Sequence, residues 1–142
     1  MKRFHVHIGV EKLEEAICSY SALFGVDLVK TKPDYAKWML DDPRVNFAIY
    51  TRTKKKGVDH LGIQVEEEGE LHELRSRLVR ADMNVLEEGT TTCCYARSDK
   101  SWVQDLAGIP WEAYRTMEDA QFFQIAWIAP RVPVVLRTLR CS

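Results

Sequence analysis

His5-Val6-His7-Ile8-Gly9-Val10-Glu11 opens the chain, and His60-Leu61-Gly62-Ile63-Gln64-Val65-Glu66 answers it further along. In the first stretch Phe4, Val6, Ile8 and Val10 alternate with His5, His7 and Gly9, the period of a strand with one face on a core. Both histidines are thereby aimed away from the oily face. The echo gives His60 in a second unit the place that His5 holds in the first. An internal repeat of this kind argues for two similar modules sharing one domain.

Working outward, Leu13, Ala16, Ile17, Tyr20 and Leu23 recur at helical spacing and Gly25 supplies a stop, which predicts an amphipathic helix over 12–24 that carries Cys18. Strands are predicted at 27–30, 36–40 and 45–50, separated by turn residues at Lys32-Pro33-Asp34 and Asp41-Asp42-Pro43. The same order then restarts: a strand at 60–65, a helix with Leu71, Leu74 and Leu78 on one face, and strand-like runs near 83–86, 91–96, 102–106 and 111–114. The expected fold class is α+β, with one domain over 1–118 made of a first module at about 3–53 and a second at about 57–118. The tail, 119–142, does not fit the repeat. Pro130 and Pro133 make it a poor central strand, suited instead to covering a sheet edge or a partner subunit, and it receives no function.

A chain of 142 residues can bury a real core without staples, so neither disulfide nor structural zinc is needed for folding. Its formal charge of -1, with basic residues scattered except at Lys54-Lys55-Lys56, argues against nucleic acid as a partner, and that lysine run suits a solvated connection. The opening alternation followed by charged residues at 11–15 is unlike a secretory signal. The apolar part of the tail, broken by Gln124, Pro130, Arg131 and Pro133, is too short to span a bilayer. A cytoplasmic protein with no membrane partner is the expectation. Cys18, Cys93, Cys94 and Cys141 show neither the spacing of a disulfide framework nor that of a four-thiolate zinc site.

Two sets of residues carry chemistry. His5, His60 and Glu112, the last within Pro110-Trp111-Glu112-Ala113-Tyr114, are two imidazoles and a carboxylate on expected strands. Such a set can hold a divalent metal on one face and leave the opposite positions open. No local ligand motif joins them, so the residues alone read more readily as ordinary strand residues than as ligands. His7 shares the strand face of His5 and competes for the first ligand position or for a supporting hydrogen bond, whereas His72 reads as a solvated helix residue. The second set is the adjacent pair Cys93-Cys94. Neighbouring strand side chains point to opposite faces, so the two thiols can grip one atom only where the backbone bends. Read separately, one thiol is a small buried hydrophobe and the other is incidental. Together they form a soft chelate suited to trivalent arsenic or cadmium.

The segments around these residues resemble the vicinal-oxygen-chelate superfamily of glyoxalases, bleomycin resistance proteins and extradiol dioxygenases. His5 with Val10 and Leu13, then Asp59-His60-Leu61-Gly62-Ile63 and Trp111-Glu112-Ala113-Tyr114, are similar to its three ligand segments, over roughly residues 3–118. The resemblance implies two β-α-β-β-β modules forming curled mixed sheets around a metal held by His5, His60 and Glu112. Thr91-Thr92-Cys93-Cys94-Tyr95-Ala96, then Asp99-Lys100 and Trp102-Val103-Gln104, together with Lys32-Pro33-Asp34-Tyr35-Ala36 and Asn46-Phe47-Ala48-Ile49, are similar to the ArsI/CadI subgroup of carbon–arsenic lyases and cadmium-induced proteins. In some of its members glutamine stands where this chain has His5.

That subgroup implies a lyase that uses ferrous iron (other divalent metals can substitute) and dioxygen to demethylate or dearylate trivalent organoarsenicals and release arsenite. Cys93 and Cys94 would bind arsenic, Tyr95 and Lys100 would line the site, and a homodimer is a further expectation. The alternatives are a glyoxalase-like or antibiotic-modifying metalloenzyme on the same fold and a non-enzymatic cadmium or arsenic sequestering protein.

Overall fold

The computed structural model describes residues 1–93 and 96–119, with backbone alone at 91–93, 96 and 118–119. Cys94, Tyr95 and the tail from 120 onward lie outside the described residues, as do the roles expected of them. Among the described residues no helix is long and apolar enough to cross a membrane.

The elements run β1 (Arg3–Gly9), α1 (Leu13–Phe24), β2 (Lys30–Lys32), β3 (Tyr35–Asp41) and β4 (Arg44–Tyr50), then β5 (Gly57–Val65), α2 (Glu68–Arg80), β6 (Leu86–Cys93), β7 (Ala96–Gln104) and β8 (Pro110–Asp119). This is the β-α-β-β-β unit written twice. The strands form one mixed eight-stranded sheet in the order β2-β3-β4-β1-β5-β8-β7-β6. Each module contributes a half in which its first strand lies parallel to its last, β1 beside β4 and β5 beside β8, and the halves join where β1 and β5 pair antiparallel. The fold is therefore an α+β arrangement of two like modules, as the repeat predicts, and it has the glyoxalase-like form that the resemblance implies.

Each helix covers one half of the sheet on the same side. α1 starts with Glu14 and Glu15 in its first turn, where the N-terminal dipole favours acid, and stops at Gly25, whose φ of 65° places it in the left-handed region. Its apolar face meets Trp38, Phe47 and Ile49, which alternate with site-facing residues along β3 and β4. Trp38 is wholly buried and satisfies its indole by donating to Ser21 Oγ at 3.2 Å. α2 begins with a capping box between Glu67 and Glu70 and packs Leu71 and Leu74 on Ile63, Val65 and Ala113. The apolar alternation that builds both cores turns the opposite set of side chains, His5 and His7 included, to the free face.

Four strand expectations shift. The strand expected at 27–30 is β2, Lys30–Lys32, pairing only with the start of β3. The run at 83–86 is mostly the turn that closes α2: Asp82 takes a φ of 54° and Met83 N–H donates to Leu78 O at 3.1 Å, so β6 starts only at Leu86. The separate strands expected at 91–96 and 102–106 give way to a hairpin in which β6 ends at Cys93 and β7 runs unbroken from Ala96 to Gln104. β7 escapes an apolar pattern because both its faces are polar in the middle. Ser98 and Lys100 face the site, while Asp99 and Ser101 face α2 and take hydrogen bonds from Arg75 at 2.7 and 2.5 Å.

Candidate metal centre

His5, His60 and Glu112 come from three adjacent strands and meet on the free face of the sheet beside its central seam. Register brings them there: His5 of β1 lies opposite Gly62 of β5, Gly62 opposite Glu112 of β8, and His7 opposite His60. Gly62 is what allows the approach. A Cβ at that position would stand 2.6 Å from Glu112 O and 3.2 Å from Glu112 Cβ, so only glycine leaves the carboxylate room beside its neighbour. Site residues distant in sequence are thus neighbours by strand pairing alone.

The donor atoms converge. His5 Nε2 lies 3.3 Å from His60 Nε2 and 3.7 Å from Glu112 Oε2, and His60 Nε2 lies 3.3 Å from the same carboxylate oxygen. Donors about 2.1 Å from one ion, at angles between octahedral and tetrahedral, stand about 3.0–3.4 Å apart. All three residues are nearly or fully buried. Protons are already committed elsewhere: His5 Nδ1 donates to Asn46 O at 3.1 Å, and His60 Nδ1 to Asp59 Oδ2 at 2.7 Å. Each neutral ring therefore turns an Nε2 lone pair toward the carboxylate. Three acceptors facing one another need a cation among them, either a proton or a metal.

Electrostatics favours the metal-binding protonation states at two of the three groups. Burial holds the His5 imidazole well below its ordinary value, at about 4, with Glu112 opposing and His60 adding to the depression. Glu112 is lowered to about 2 although burial pushes it up, because the His60 hydrogen bond and the Lys100 ammonium prevail. Lys100 Nζ stands 2.5 Å from Glu112 Oε1, leaving Oε2 to the histidines. For His60 burial lowers the pKa, but Glu112 and then Asp59 overcome it, and the net shift is upward. His60 is accordingly where a proton competes first with a metal as the pH falls.

Asp59 reaches His60 through an irregularity in the sheet. β1 pairs His7 with His60 and then Ile8 with Val58, so Asp59 is an extra residue on β5. Such a bulge re-aims a side chain that would otherwise point to the opposite face. The carboxylate fixes the His60 tautomer and raises its basicity, so Asp59→Asn is expected to weaken divalent-metal binding about 10- to 100-fold. Competition with a chromophoric chelator measures this, and wild-type affinity in that variant would remove Asp59 from the site.

A cavity of about 240 Å³ opens over the triad, with Tyr35, Lys37, Tyr50, Ser98, Lys100 and Trp102 among its walls. Lys100, expected as a lining residue, is there. His7 is also there, 2% exposed, its ring 4.6 Å from that of His60 and 4.3 Å from that of Tyr50. The donor atoms of His5, His7 and His60 all lie within 4.8 Å of one another. Residues that sequence reasoning missed are Asp59 as a partner of His60, the Asn46 carbonyl, and Tyr114, whose ring meets His5 edge-on at 5.2 Å. The adjacency of Asp59 to His60 was the one available signal, hidden because strand neighbours normally diverge. β7 carries the cavity wall from Trp102 through Lys100 and Ser98 toward the end of the ladder where Ala96 pairs with Cys93.

Comparison with known proteins identifies the family and the fold. The model of the "Glyoxalase/Bleomycin resistance protein/Dioxygenase superfamily" matches residues 2–113. A trivalent organoarsenical cleaving enzyme of Bacillus sp. (strain MD1) is 44% identical over 119 residues, covering 82% of this chain and 74% of that relative. Cadmium-induced protein CadI of Mycobacterium tuberculosis (strain ATCC 25618 / H37Rv) is 35% identical over 124 residues, covering 87% and 82%. Among solved structures, the Mn(II)-bound glyoxalase from Novosphingobium aromaticivorans superposes with a TM-score of 0.59 at 15% identity, over 81% of this chain and 40% of that one. At that identity the likeness concerns the fold alone.

Proposed function

The chain belongs to the glyoxalase/bleomycin resistance protein/dioxygenase superfamily, and from that premise we propose that it is a carbon–arsenic lyase that releases arsenite from trivalent organoarsenicals. Relatives named as organoarsenical cleaving enzymes, at 34–44% identity, support an enzyme of this kind. We assign His5, His60 and Glu112 as ligands of ferrous iron, which when bound would supply the means of delivering dioxygen to the carbon attached to arsenic. The observation that carries the reading is the convergence of two Nε2 lone pairs and one carboxylate oxygen at 3.3–3.7 Å beside a cavity.

The remaining residues have distinct tasks in this reading. Asp59 and the Asn46 carbonyl hold the two imidazoles in the tautomer that presents Nε2. Lys100 neutralises the outer oxygen of Glu112 and keeps the carboxylate ionised in a buried setting. Tyr35, Tyr50 and Trp102 give the cavity aromatic walls for the organic group on arsenic. Cys93 and Cys94 take the arsenic: each thiol forms a sulfur–arsenic bond, and its proton leaves with an arsenic-bound hydroxide as water. Two such bonds fix the carbon–arsenic bond in orientation, so the thiols select while the metal site does the chemistry.

Aerobic turnover of a trivalent methyl or aromatic arsenical by iron-loaded protein, with arsenite release followed, tests the proposal. Arsenite is expected only with iron, dioxygen and both thiols, and Cys93→Ser and Cys94→Ser are each expected to weaken arsenical binding by at least about 10-fold while leaving iron binding intact. Tight arsenical binding without release would replace the lyase by a sequestering protein. Neither binding nor release would redirect attention to glyoxalase-type substrates.

A further inference from the structure

Resting on the metal site proposed above, we propose that His7 is a fourth donor to the same ion, making the set three imidazoles and one carboxylate. The repeat itself makes the case. Aligning His5 with His60 puts His7 on Gly62, and strand pairing puts His7 beside Ala48 on β4 just as Gly62 lies beside Glu112 on β8. The two modules therefore hold complementary pairs. In module two the first strand has no side chain and the last strand supplies the donor; in module one the last strand has only a methyl group and the first strand supplies an imidazole. Glutamate at 112 needs glycine at 62, since a Cβ there would meet it at 3.2 Å. Ala48, wholly buried, gives His7 comparable room.

The surroundings of His7 point the same way. Its Nε2 is buried and has no hydrogen-bond partner among the described residues, in a protein whose other site imidazoles are both paired. An unsatisfied buried nitrogen is costly and is retained where something binds it. Tyr35 and Tyr50 meet the ring edge-on at 6.2 and 4.3 Å and restrict its rotation. The nitrogen donors of His5, His7 and His60 lie within 4.8 Å of one another, so a small inward closure brings all three onto one ion with bonds of about 2.1 Å. A histidine two residues from another on one strand face can converge with it on a single ion, because both side chains leave the sheet in the same direction. The added imidazole would shift metal preference toward the nitrogen-loving end of the first row.

Long-range proton–nitrogen spectra of the full chain with labelled histidine, recorded before and after zinc loading, give a residue-by-residue answer. The chain has four histidines, and exposed His72 on α2 serves as the internal reference. The nitrogens of His5, His60 and His7 are expected to shift on loading while those of His72 stay. His7→Ala, and His7→Gln as a variant that preserves side-chain volume, are expected to lower zinc affinity about 100-fold in chelator competition with His5 and His60 still shifting. Movement of His5 and His60 alone, with His7 behaving as His72 does, overturns this inference and leaves the metal site standing. No movement at any of the three overturns both.

Discussion

Glu112→Gln is expected to abolish turnover and to lower metal affinity by at least about 100-fold, the largest functional effect any single conservative change should have. The substitution keeps shape and removes charge. Glu112 offers Oε2 to both Nε2 atoms and Oε1 to Lys100, and it is only 3% exposed. Its loss therefore does two separable things. The metal loses its single anionic donor, and the Lys100 ammonium, itself buried, loses its counter-ion. Stranding a buried charge costs about 3–5 kcal/mol, so thermal stability should fall as well. Adding Lys100→Met to Glu112→Gln removes the stranded charge and is expected to recover most of the thermal midpoint without recovering metal binding. Isothermal titration with a divalent metal, beside thermal denaturation of both variants, separates the two effects. A double variant that regained metal binding would refute the ligand assignment of Glu112.

The second large effect is expected at a residue with no chemistry. Gly62→Ala should lower metal affinity by more than about 10-fold and destabilise the fold by about 1–3 kcal/mol, the range for forcing extra volume into a packed place. The added methyl would meet backbone, Glu112 O at 2.6 Å, which cannot swing aside as a flexible side chain can. β5 and β8 must then move apart at the one register position that sets Glu112 against His5 and His60. Metal affinity and the chemical-denaturation midpoint of the variant, measured together, check this. Unchanged affinity would mean that the carboxylate is positioned by something other than its strand neighbour.

The architecture was legible because it is written in apolar alternation and repeated. Phe4-His5-Val6-His7-Ile8 declares both its faces, and the same order of elements after Gly57 makes the second module readable from the first. β7 was not legible, since Ser98, Asp99, Lys100 and Ser101 serve a polar site on one side and Arg75 on the other and so carry no apolar period. Of the site, His5, His60 and Glu112 could be named from resemblance to ligand segments. Their mutual distances are a product of register, which sequence spacing does not encode. Asp59 depended on a bulge, and Asn46 acts through its carbonyl, which any residue at that position possesses. The complementarity of His7 with Ala48 and of Gly62 with Glu112 emerges only once the strands are laid side by side.

Among the described residues, the antiparallel pairing of β1 with β5 is the only strand pairing that joins one module to the other. His5 lies on one side of that line and His60 and Glu112 lie on the other. An ion held by all three would act as a rivet across a hinge line, tying together halves that each have a separate helix-covered core. At a metal concentration about 100 times its dissociation constant the rivet adds about 2.7 kcal/mol to the folded state. Because ligands on both sides are needed, that energy is lost if either half departs from its place.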